Sequence, residues 1–247
     1  TFEGSNYNFI ATSETQIVLS AEDNGAGVDK IIYKIDGGKE QSVNKKVKKI
    51  KVGSLKTGKH TLEYSAVDYV KNQEKWHKVE FRHDSAPPDV ELLVKGGEFR
   101  QDDVVYVSNA AILRIESTDD QAGVDTTFLR IDDNPDIPYT QPFSPPQVEG
   151  VHWFSTIITD RVSNQRIYKR KLFIDASPPA TDFRLDGASY WNGDTAIIRK
   201  ETKIVFSATD LESSVKTIWY CMDSLPCQIY EKPIQIEKDG NYKIVYY

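Results

Sequence analysis

The sequence predicts an all-β chain that is built from tandem β-sandwich domains. Three observations predict this fold: a set of spaced residues recurs three times, apolar and polar residues alternate in short segments, and paired prolines separate the repeats. A chain of 247 residues is long enough for two or three such domains.

The first recurring block begins with an aspartate, continues with a small residue and a valine, and ends in a strand-like segment that closes on a second aspartate. The three copies are Asp23, Gly27, Val28 and residues 33–36; Asp119, Gly123, Val124 and residues 129–132; and Asp210, Ser214, Val215 and residues 220–223. The copies align without gaps, so we interpret the block as a turn that leads into a packed strand.

A second block follows in each repeat after a connection of variable length, as expected when insertions fall in loops. It begins at Gly58, Gly150 and Gly240, and it reaches Asp68 with Asn72 in the first repeat and Asp160 with Asn164 in the second. In the third repeat the sequence reaches Tyr247 before the corresponding aspartate, so we expect this domain to be C-terminally incomplete.

The repeat boundaries are marked by residues 84–88 and 175–179, which both begin with aspartate and end in Pro-Pro. Paired prolines cannot donate to a strand ladder and hold the backbone extended, so they predict short, stiff linkers. The predicted domains are residues 1–88, 89–179 and 180–247, strung end to end as a beads-on-a-string rod.

The strand signals are apolar residues at every second position, which indicate one buried and one wet face. They are clearest at Ile17, Leu19 and Ala21 and at Leu62, Tyr64 and Ala66. No segment has a sustained helical period. A domain of roughly 90 residues with short strands and frequent turn signals is typical of an immunoglobulin-like sandwich.

The combined motifs resemble bacterial Ig-like tandem repeats, of the type found in a leptospiral outer-membrane protein and other bacterial surface proteins. The residues that carry the resemblance are those of the two blocks, the closing Asp-x-x-Pro-Pro, and a Tyr-x-x-Pro-hydrophobic segment at residues 139–143 and 230–234. The resemblance implies an exported, non-catalytic module at the cell surface, associated with the outer membrane or in the periplasm. The first repeat departs from the pattern, because it carries a lysine-rich stretch instead.

The charge distribution argues against nucleic acid as a partner. The net charge is −6, with 14 basic and 12 acidic side chains in the first repeat, 9 and 15 in the second, and 8 and 10 in the third. The basic concentration consists of Lys45, Lys46, Lys48, Lys49 and Lys51. We interpret it as an edge strand protected from aggregation, with an anionic partner such as lipopolysaccharide or an acidic glycan as the alternative.

The histidines do not indicate an enzyme. His60 and His152 are repeat equivalents that each follow a glycine, so packing or a turn hydrogen bond explains them better than catalysis. His77 and His83 alternate with charged residues and are expected to face solvent. Paired carboxylates lack the apolar setting that would raise a pKa for acid catalysis, and phosphate-binding or metal-hydrolase motifs are absent from the sequence.

The repeated aspartates suggest a metal hypothesis. In the predicted sandwich, the linker enters beside two loops, which would bring Asp84 toward Asp119, Asp160 and Asn164, and Asp175 toward Asp210. Such oxygen ligands suit Ca²⁺. The alternative is that these side chains cap turns by accepting hydrogen bonds from backbone amides, and we expect no required cofactor.

The remaining candidate residues are a cysteine pair and exposed aromatic rings. Cys221 and Cys227 flank a turn signal, so a hairpin would allow a disulfide, which implies an oxidising compartment. Trp153 and Trp219 lie in strand patterns and are predicted to be core residues. The segment at Tyr190 and Trp191 is predicted to be a turn whose rings could stack on a glycan.

Taken as a whole, the sequence predicts a structural or interaction segment that acts as a rigid spacer or adhesion segment. The alternatives are an accessory glycan-binding region of a surface hydrolase and a scaffold subunit of a large envelope complex. The expected partner is a protein or the remainder of a larger chain, with a glycan as an alternative, and no apolar stretch approaches the length of a transmembrane segment.

Overall fold

A computed structural model describes residues 9–247, and it confirms the all-β prediction. These residues form strands and one short 3₁₀ helix, Val52–Ser54, with no α-helix among them. None of the described segments is a helix with the length and apolar character needed to cross a membrane.

Seven strands precede the first Pro-Pro linker, eight lie between the two linkers, and eight follow the second. The first set is β1 (Phe9–Ala11), β2 (Gln16–Ser20), β3 (Val28–Ile35), β4 (Gln41–Val43), β5 (Val47–Lys51), β6 (Gly58–Asp68) and β7 (His77–His83). The second set is β8 (Asp89–Lys95), β9 (Glu98–Gln101), β10 (Val104–Ser108), β11 (Ile112–Thr118), β12 (Val124–Ile131), β13 (Ile137–Pro138), β14 (Gly150–Asp160) and β15 (Gln165–Asp175). The third set is β16 (Ala180–Asp186), β17 (Ser189–Asn192), β18 (Thr195–Ile198), β19 (Lys203–Thr209), β20 (Trp219–Met222), β21 (Gln228–Ile229), β22 (Ile234–Gln235) and β23 (Ile244–Tyr246).

The chain divides into two compact units, and each unit combines three segments that are not contiguous in the sequence. Unit 1 contains the described residues up to 93 together with 114–142 and 153–170, and unit 2 contains 94–113, 143–152 and 171–247. The division into three domains at the Pro-Pro linkers stays a prediction.

The first repeat lies in unit 1 and is a two-layer sandwich. One layer has the strand order β1-β7-β6-β3-β4, and the other is the antiparallel pair of β2 and β5. Leu19 and Ile50 from the pair pack in one core with Ile31, Leu62 and Phe81 from the larger sheet. The alternation of apolar residues along each strand supplies this shared core, as expected for packed sheets.

The second repeat preserves the pairing of the first. β12 pairs with β14 as β3 pairs with β6, and a register shift occurs at the corresponding place, between Val28 and Lys30 in one and between Val124 and Thr126 in the other. Within unit 2, β10 runs parallel to the end of β15, as β1 runs parallel to β7 in unit 1. The sequence alignment of these repeats therefore corresponds to a shared strand framework.

The third repeat lies in unit 2 and contains three small sheets. Their strand orders are β16-β19-β22, β17-β18 and β21-β20-β23. Phe206 is buried at the centre of an aromatic group, with its ring 4.8 Å from that of Tyr246 and 5.2 Å from that of Tyr230. The tyrosine-rich composition thus contributes to the core here rather than to the surface alone.

Candidate functional site

The aspartate that opens the first block caps a turn in each repeat. Asp119 accepts hydrogen bonds at Oδ1 from the backbone amides of Gln121, Ala122 and Gly123, at 3.1, 2.8 and 2.8 Å. Asp210 accepts three corresponding bonds, and Asp23 accepts two, from Gly25 and Gly27. The turn-capping interpretation accounts for the position of these side chains.

The aspartate of the second block caps the following hairpin. Asp160 accepts bonds at Oδ1 from the amides of Val162 and Asn164, at 2.9 and 2.8 Å, and at Oδ2 from Asn164 Nδ2 at 2.8 Å. Asp68 makes the same three bonds in the first repeat, with Asn72 in place of Asn164. The repeated Asp and Asn therefore specify one hairpin geometry.

Asp84 connects the first Pro-Pro linker to both of these turns. It follows β7 directly, and its side chain is completely buried. Oδ1 accepts a hydrogen bond from the amide of Ala86 at 3.1 Å, and Oδ2 accepts one from the amide of Ala122 at 3.0 Å. Its carbonyl oxygen faces Nδ2 of Asn164 at 3.4 Å. A linker residue is thus bonded to two loops of the repeat that follows it.

Three carboxylates meet at this point. One oxygen from each of Asp84, Asp119 and Asp160 lies within 4.8 Å of the others, and no ion pair among residues 9–247 includes any of the three. Burial and the repulsion of the other two carboxylates raise the pKa of Asp84, against the lowering effect of its amide hydrogen bonds. Such a group can hold a hard divalent cation through its oxygen atoms.

Asn164 lies at this cluster but does not present its oxygen there. Its Nδ2 group donates to a carboxylate oxygen of Asp160 and faces the carbonyl oxygen of Asp84. Both partners are acceptors, which fixes the amide orientation. Asn164 therefore acts as a hydrogen-bond donor to the cluster rather than as an oxygen ligand.

The second linker repeats part of this arrangement within unit 2. Asp175 ends β15, is buried, and accepts a hydrogen bond from the amide of Ser177 at 3.1 Å, as Asp84 does from Ala86. Asp175 and Asp210 line the same cleft of about 600 Å³. Among the described residues, a group of three carboxylates occurs only at Asp84, Asp119 and Asp160.

The equivalent rings of the second block bind a backbone carbonyl in all three repeats. His60 Nε2 lies 2.6 Å from the carbonyl oxygen of Lys56, and His152 Nε2 lies 2.9 Å from that of Val148. In the third repeat, the hydroxyl of Tyr242 donates to the Lys238 carbonyl at 3.1 Å. The turn hydrogen bond that was predicted as an alternative to packing is confirmed for His60 and His152, and Tyr242 makes a corresponding bond that was not predicted.

His83 contradicts the prediction that it faces solvent, because its side chain is only 2% exposed. It ends β7 between β1 and β6, where its ring nitrogens lie 3.3 Å from Ser13 Oγ and 3.1 Å from the Lys56 carbonyl. The alternation of His83 with charged residues predicted that it lies on the solvent-facing side of β7, but it lies on the buried side. His77, in contrast, is exposed as predicted.

The aromatic residues differ from prediction in part. Trp153 and Trp219 were expected in the core, but they are 51% and 36% exposed, because their strands turn these rings toward the wet face. Tyr190 and Trp191 are exposed and lie on strand β17 rather than on a turn. Adjacent strand residues point to opposite faces, so the two rings do not form one shared stacking platform.

The disulfide prediction is confirmed. Cys221 and Cys227 are bonded, with their Cα atoms 4.1 Å apart, and they flank the turn that joins β20 to β21. No free cysteine is present among residues 9–247.

Comparisons with known proteins give likenesses of fold only. No protein-family model and no curated protein matches the chain. The chain is similar to fibronectin(III)-like modules of CbhA from Clostridium thermocellum, at 18% identity over 71% of this chain and 93% of that one, with a TM-score of 0.33. It is similar to part of a 1.5-MDa bacterial ice-binding adhesin, at 11% identity over 96% and 91%, with a TM-score of 0.39. A Ca²⁺-stabilised adhesin from an Antarctic bacterium matches at 12% identity over 96% and 69%, with a TM-score of 0.30. These values are too low to carry a function from those proteins to this chain.

Proposed function

We propose that this chain is a non-catalytic spacer or adhesion segment of an exported bacterial envelope or surface protein. The observation that carries the proposal is the buried carboxylate of Asp84, which ties the first linker to the turn of the following repeat through the amide of Ala122. Breaking this bond would leave a buried carboxylate oxygen without the Ala122 amide, so the bond favours one linker geometry over a freely rotating chain.

The linker sequence supports the same role. Residues 84–88 and 176–179 lie outside the strands, and each segment ends in Pro-Pro, which narrows the backbone angles that the joint can adopt. Both linkers combine a buried aspartate with a proline pair, and these features together would keep neighbouring domains at a fixed distance from each other.

The chemistry of the side chains supports a non-catalytic and exported protein. His60, His83 and His152 bind backbone carbonyls, so each of these rings has a structural role. The disulfide between Cys221 and Cys227 is typical of proteins outside the cytoplasm.

We also propose Ca²⁺ as a ligand that would strengthen the first joint. Asp84, Asp119 and Asp160 place three negative oxygens together, and their repulsion opposes the closed arrangement that the amide hydrogen bonds favour. A cation at this place would remove the repulsion and leave those hydrogen bonds in position.

Small-angle X-ray scattering tests the spacer proposal. A compact globule of this length has a radius of gyration of about 18 Å, and the spacer proposal expects a clearly larger value. Replacing Asp84 with alanine should broaden the distance distribution, because it removes both side-chain bonds at the joint.

The matched control is Asp120→Ala, which removes an exposed carboxylate from the same loop. This control should scatter like the unaltered chain. A compact particle, or equal effects of the two substitutions, would contradict the proposal.

A further inference from the structure

Strand β5 of the first repeat and the bend that precedes it carry exposed positive charge. Lys45 and Lys46 lie in the bend, and Lys49 and Lys51 lie on the strand. All four are exposed, and no ion pair among residues 9–247 includes them. Lys48 differs from these four lysines, because its ammonium group lies over the Tyr33 ring, 5.5 Å from the ring centre. Some strand cations elsewhere, such as Lys78 and Arg114, are paired with carboxylates two residues away.

Strand β2 places no carboxylate opposite Lys49 or Lys51, whereas Glu22 and Asp23 line a cleft together with Lys46. β5 pairs with β2, where Gln16 lies opposite Lys51, Val18 opposite Lys49, and Ser20 opposite Val47. Opposite residues in an antiparallel pair share a face, so this face holds no carboxylate of either strand. Val18 and Val47 are 54% and 47% exposed on it, which places apolar surface beside the ammonium groups.

The fold does not require this strand to be long or basic. Ile50 pairs with Ile17 in the first repeat, and the corresponding pairs are Phe143 with Leu113 and Ile234 with Ile204. In the second repeat the contact is an isolated bridge, and in the third it is a strand of two residues. The basic ribbon is therefore an addition to a contact that the other repeats make with a much shorter segment.

Edge protection alone does not account for these lysines. In the other repeats, a proline stands immediately before the bridging residue, at Pro142 and Pro233, and proline is itself a means of blocking an edge. A few charges suffice to blunt an edge strand, whereas residues 45–51 contain four exposed lysines that are in no ion pair among residues 9–247.

We infer that the β2–β5 ribbon binds an anionic polysaccharide, with Lys45, Lys46, Lys49 and Lys51 contacting its acidic groups. Lys49 and Lys51 are spaced by two residues, so their Cα atoms are roughly 6.5–7 Å apart along a single line. Two lysines in line on one strand, with two more in the adjoining bend, match a narrow linear polymer that carries acidic groups. The exposed valines give contact to the C–H faces of sugar rings. The net charge of −6 disfavours a broad anionic surface such as a membrane or a DNA duplex, which would also meet the acidic remainder of the chain.

Titration calorimetry with polygalacturonate and dextran sulfate tests this inference, with neutral dextran as the uncharged probe. The unaltered chain should bind both acidic polymers but not dextran, and added NaCl should weaken the binding. The variant K45Q/K46Q/K49Q/K51Q should bind at least about tenfold more weakly, since each surface cation near an anionic partner contributes severalfold. The matched control K59Q/K75Q/K95Q/K232Q removes four exposed, scattered lysines and should retain the affinity.

A second variant separates binding from edge protection. K49E/K51E keeps the edge charged and so protected from self-association, but it reverses the sign that an acidic polymer meets. Loss of binding in this variant, with an unchanged circular dichroism spectrum and a monodisperse light-scattering profile, supports the inference. Equal binding by the unaltered chain and K49E/K51E overturns it, as does a chain that binds anionic vesicles or duplex DNA in parallel titrations but neither acidic polysaccharide.

Discussion

Left-handed backbone positions explain why particular residues recur in the repeats. Gly27, Gly123 and Ser214 occupy the same turn position, with φ angles of 80°, 76° and 68°. Glycine adopts this conformation without a steric penalty, so its appearance in two repeats reveals the turn from the sequence alone. Ser214 shows that the third repeat tolerates the strain when Asp210 caps the turn, because the Ser214 amide donates to its carboxylate.

A second set of equivalent residues with left-handed backbone makes a hydrogen bond that the sequence did not predict. Asp36, Asp132 and Asp223 have φ angles of 52°, 54° and 51°, as expected of a hairpin residue that tolerates this region. Each also accepts a hydrogen bond from the amide of a second-block residue, which is Thr61, Trp153 or Lys243. The turn was predictable from local sequence, but its partner depends on the pairing of distant strands.

Substitution of Gly27 tests the backbone argument. Gly27→Ala should lower the free energy of unfolding by about 1–2 kcal/mol, because a Cβ at φ 80° is strained even where space is available. Urea denaturation measures the change. Gly25→Ala is the control within the same turn, since its φ lies outside the left-handed region, and it should have a clearly smaller effect. Equal losses would show that φ at residue 27 does not limit stability.

At the scale of strands, alternation predicted where strands lie but not which face of each is covered. The core of the first repeat contains Leu19 and Leu62, as the alternation indicated. Trp153 and His83 were assigned to the wrong face, because a period of two defines two faces without saying which one meets the opposite sheet. That choice depends on sheet packing, which a single sequence does not contain.

The contact between His60 and Asp36 joins the start of β6 to the turn after β3, and it should depend on pH. The ring nitrogens of His60 lie 2.7 Å from Asp36 Oδ2 and 2.6 Å from the Lys56 carbonyl. Both partners are acceptors, so the ring satisfies them together only when both nitrogens carry protons. Burial lowers the pKa of His60, but the hydrogen bonds to Lys56 and Asp36 outweigh it and the net pKa is raised. Burial raises the pKa of Asp36, but bonds from Thr61 and His60 outweigh it, so that pKa is lowered.

The pH window follows from these two directions. The raised pKa means that protonated His60 stabilises the fold fully below about pH 6.5, and that this contribution is lost as the pH rises through the folded pKa. The lowered pKa of Asp36 gives a contribution that is present above about pH 4 and lost as the pH falls through its folded value. The pair therefore stabilises the fold most between about pH 4 and 6.5.

Urea denaturation of His60→Gln checks this window. The stability lost on substitution should be larger at pH 6 than at pH 9, since the unaltered chain itself loses the charged contact at high pH. Asp36→Asn should show the same trend, and the double variant should lose less than the sum of the single losses. A loss for His60→Gln that is the same at both pH values would exclude a protonated ring.

At the scale of the molecule, the repeats predicted the joint more completely than any single residue did. Asp84, Asp119 and Asp160 were expected to meet because the linker enters beside two turns in a sandwich, and the structure brings their carboxylates together. The bond from Ala122 to Asp84 was not predictable, because a backbone amide leaves no signature in the side-chain sequence. The aspartates of the joint are therefore visible in the repeated sequence, whereas the backbone amide that binds Asp84 is identified only by the fold.

Calcium should stabilise the molecule through this joint. At neutral pH the carboxylates repel one another, so Ca²⁺ that binds only the folded chain should raise the melting temperature. Asp119→Asn should abolish the increase, because it removes one charge while its amide oxygen still caps the turn. Asp23→Asn is the matched control, because it removes the charge of the equivalent turn-capping aspartate in the first repeat. Among residues 9–247, Asp23 is not part of a group of three carboxylates, so the response to Ca²⁺ should persist.

The response to calcium should also weaken in acid, and this dependence distinguishes the joint from nonspecific binding. Because burial and like charges raise the pKa of Asp84, the folded chain carries a repulsive cost above that pKa, and the cost disappears as the pH falls toward the ordinary value of aspartate. Protons then compete with Ca²⁺ for the same oxygens, so the increase in melting temperature should be smaller at pH 4.5 than at pH 7. An absence of heat in calorimetric titration of the chelator-treated chain, together with an unchanged melting temperature, would leave turn capping as the function of these aspartates.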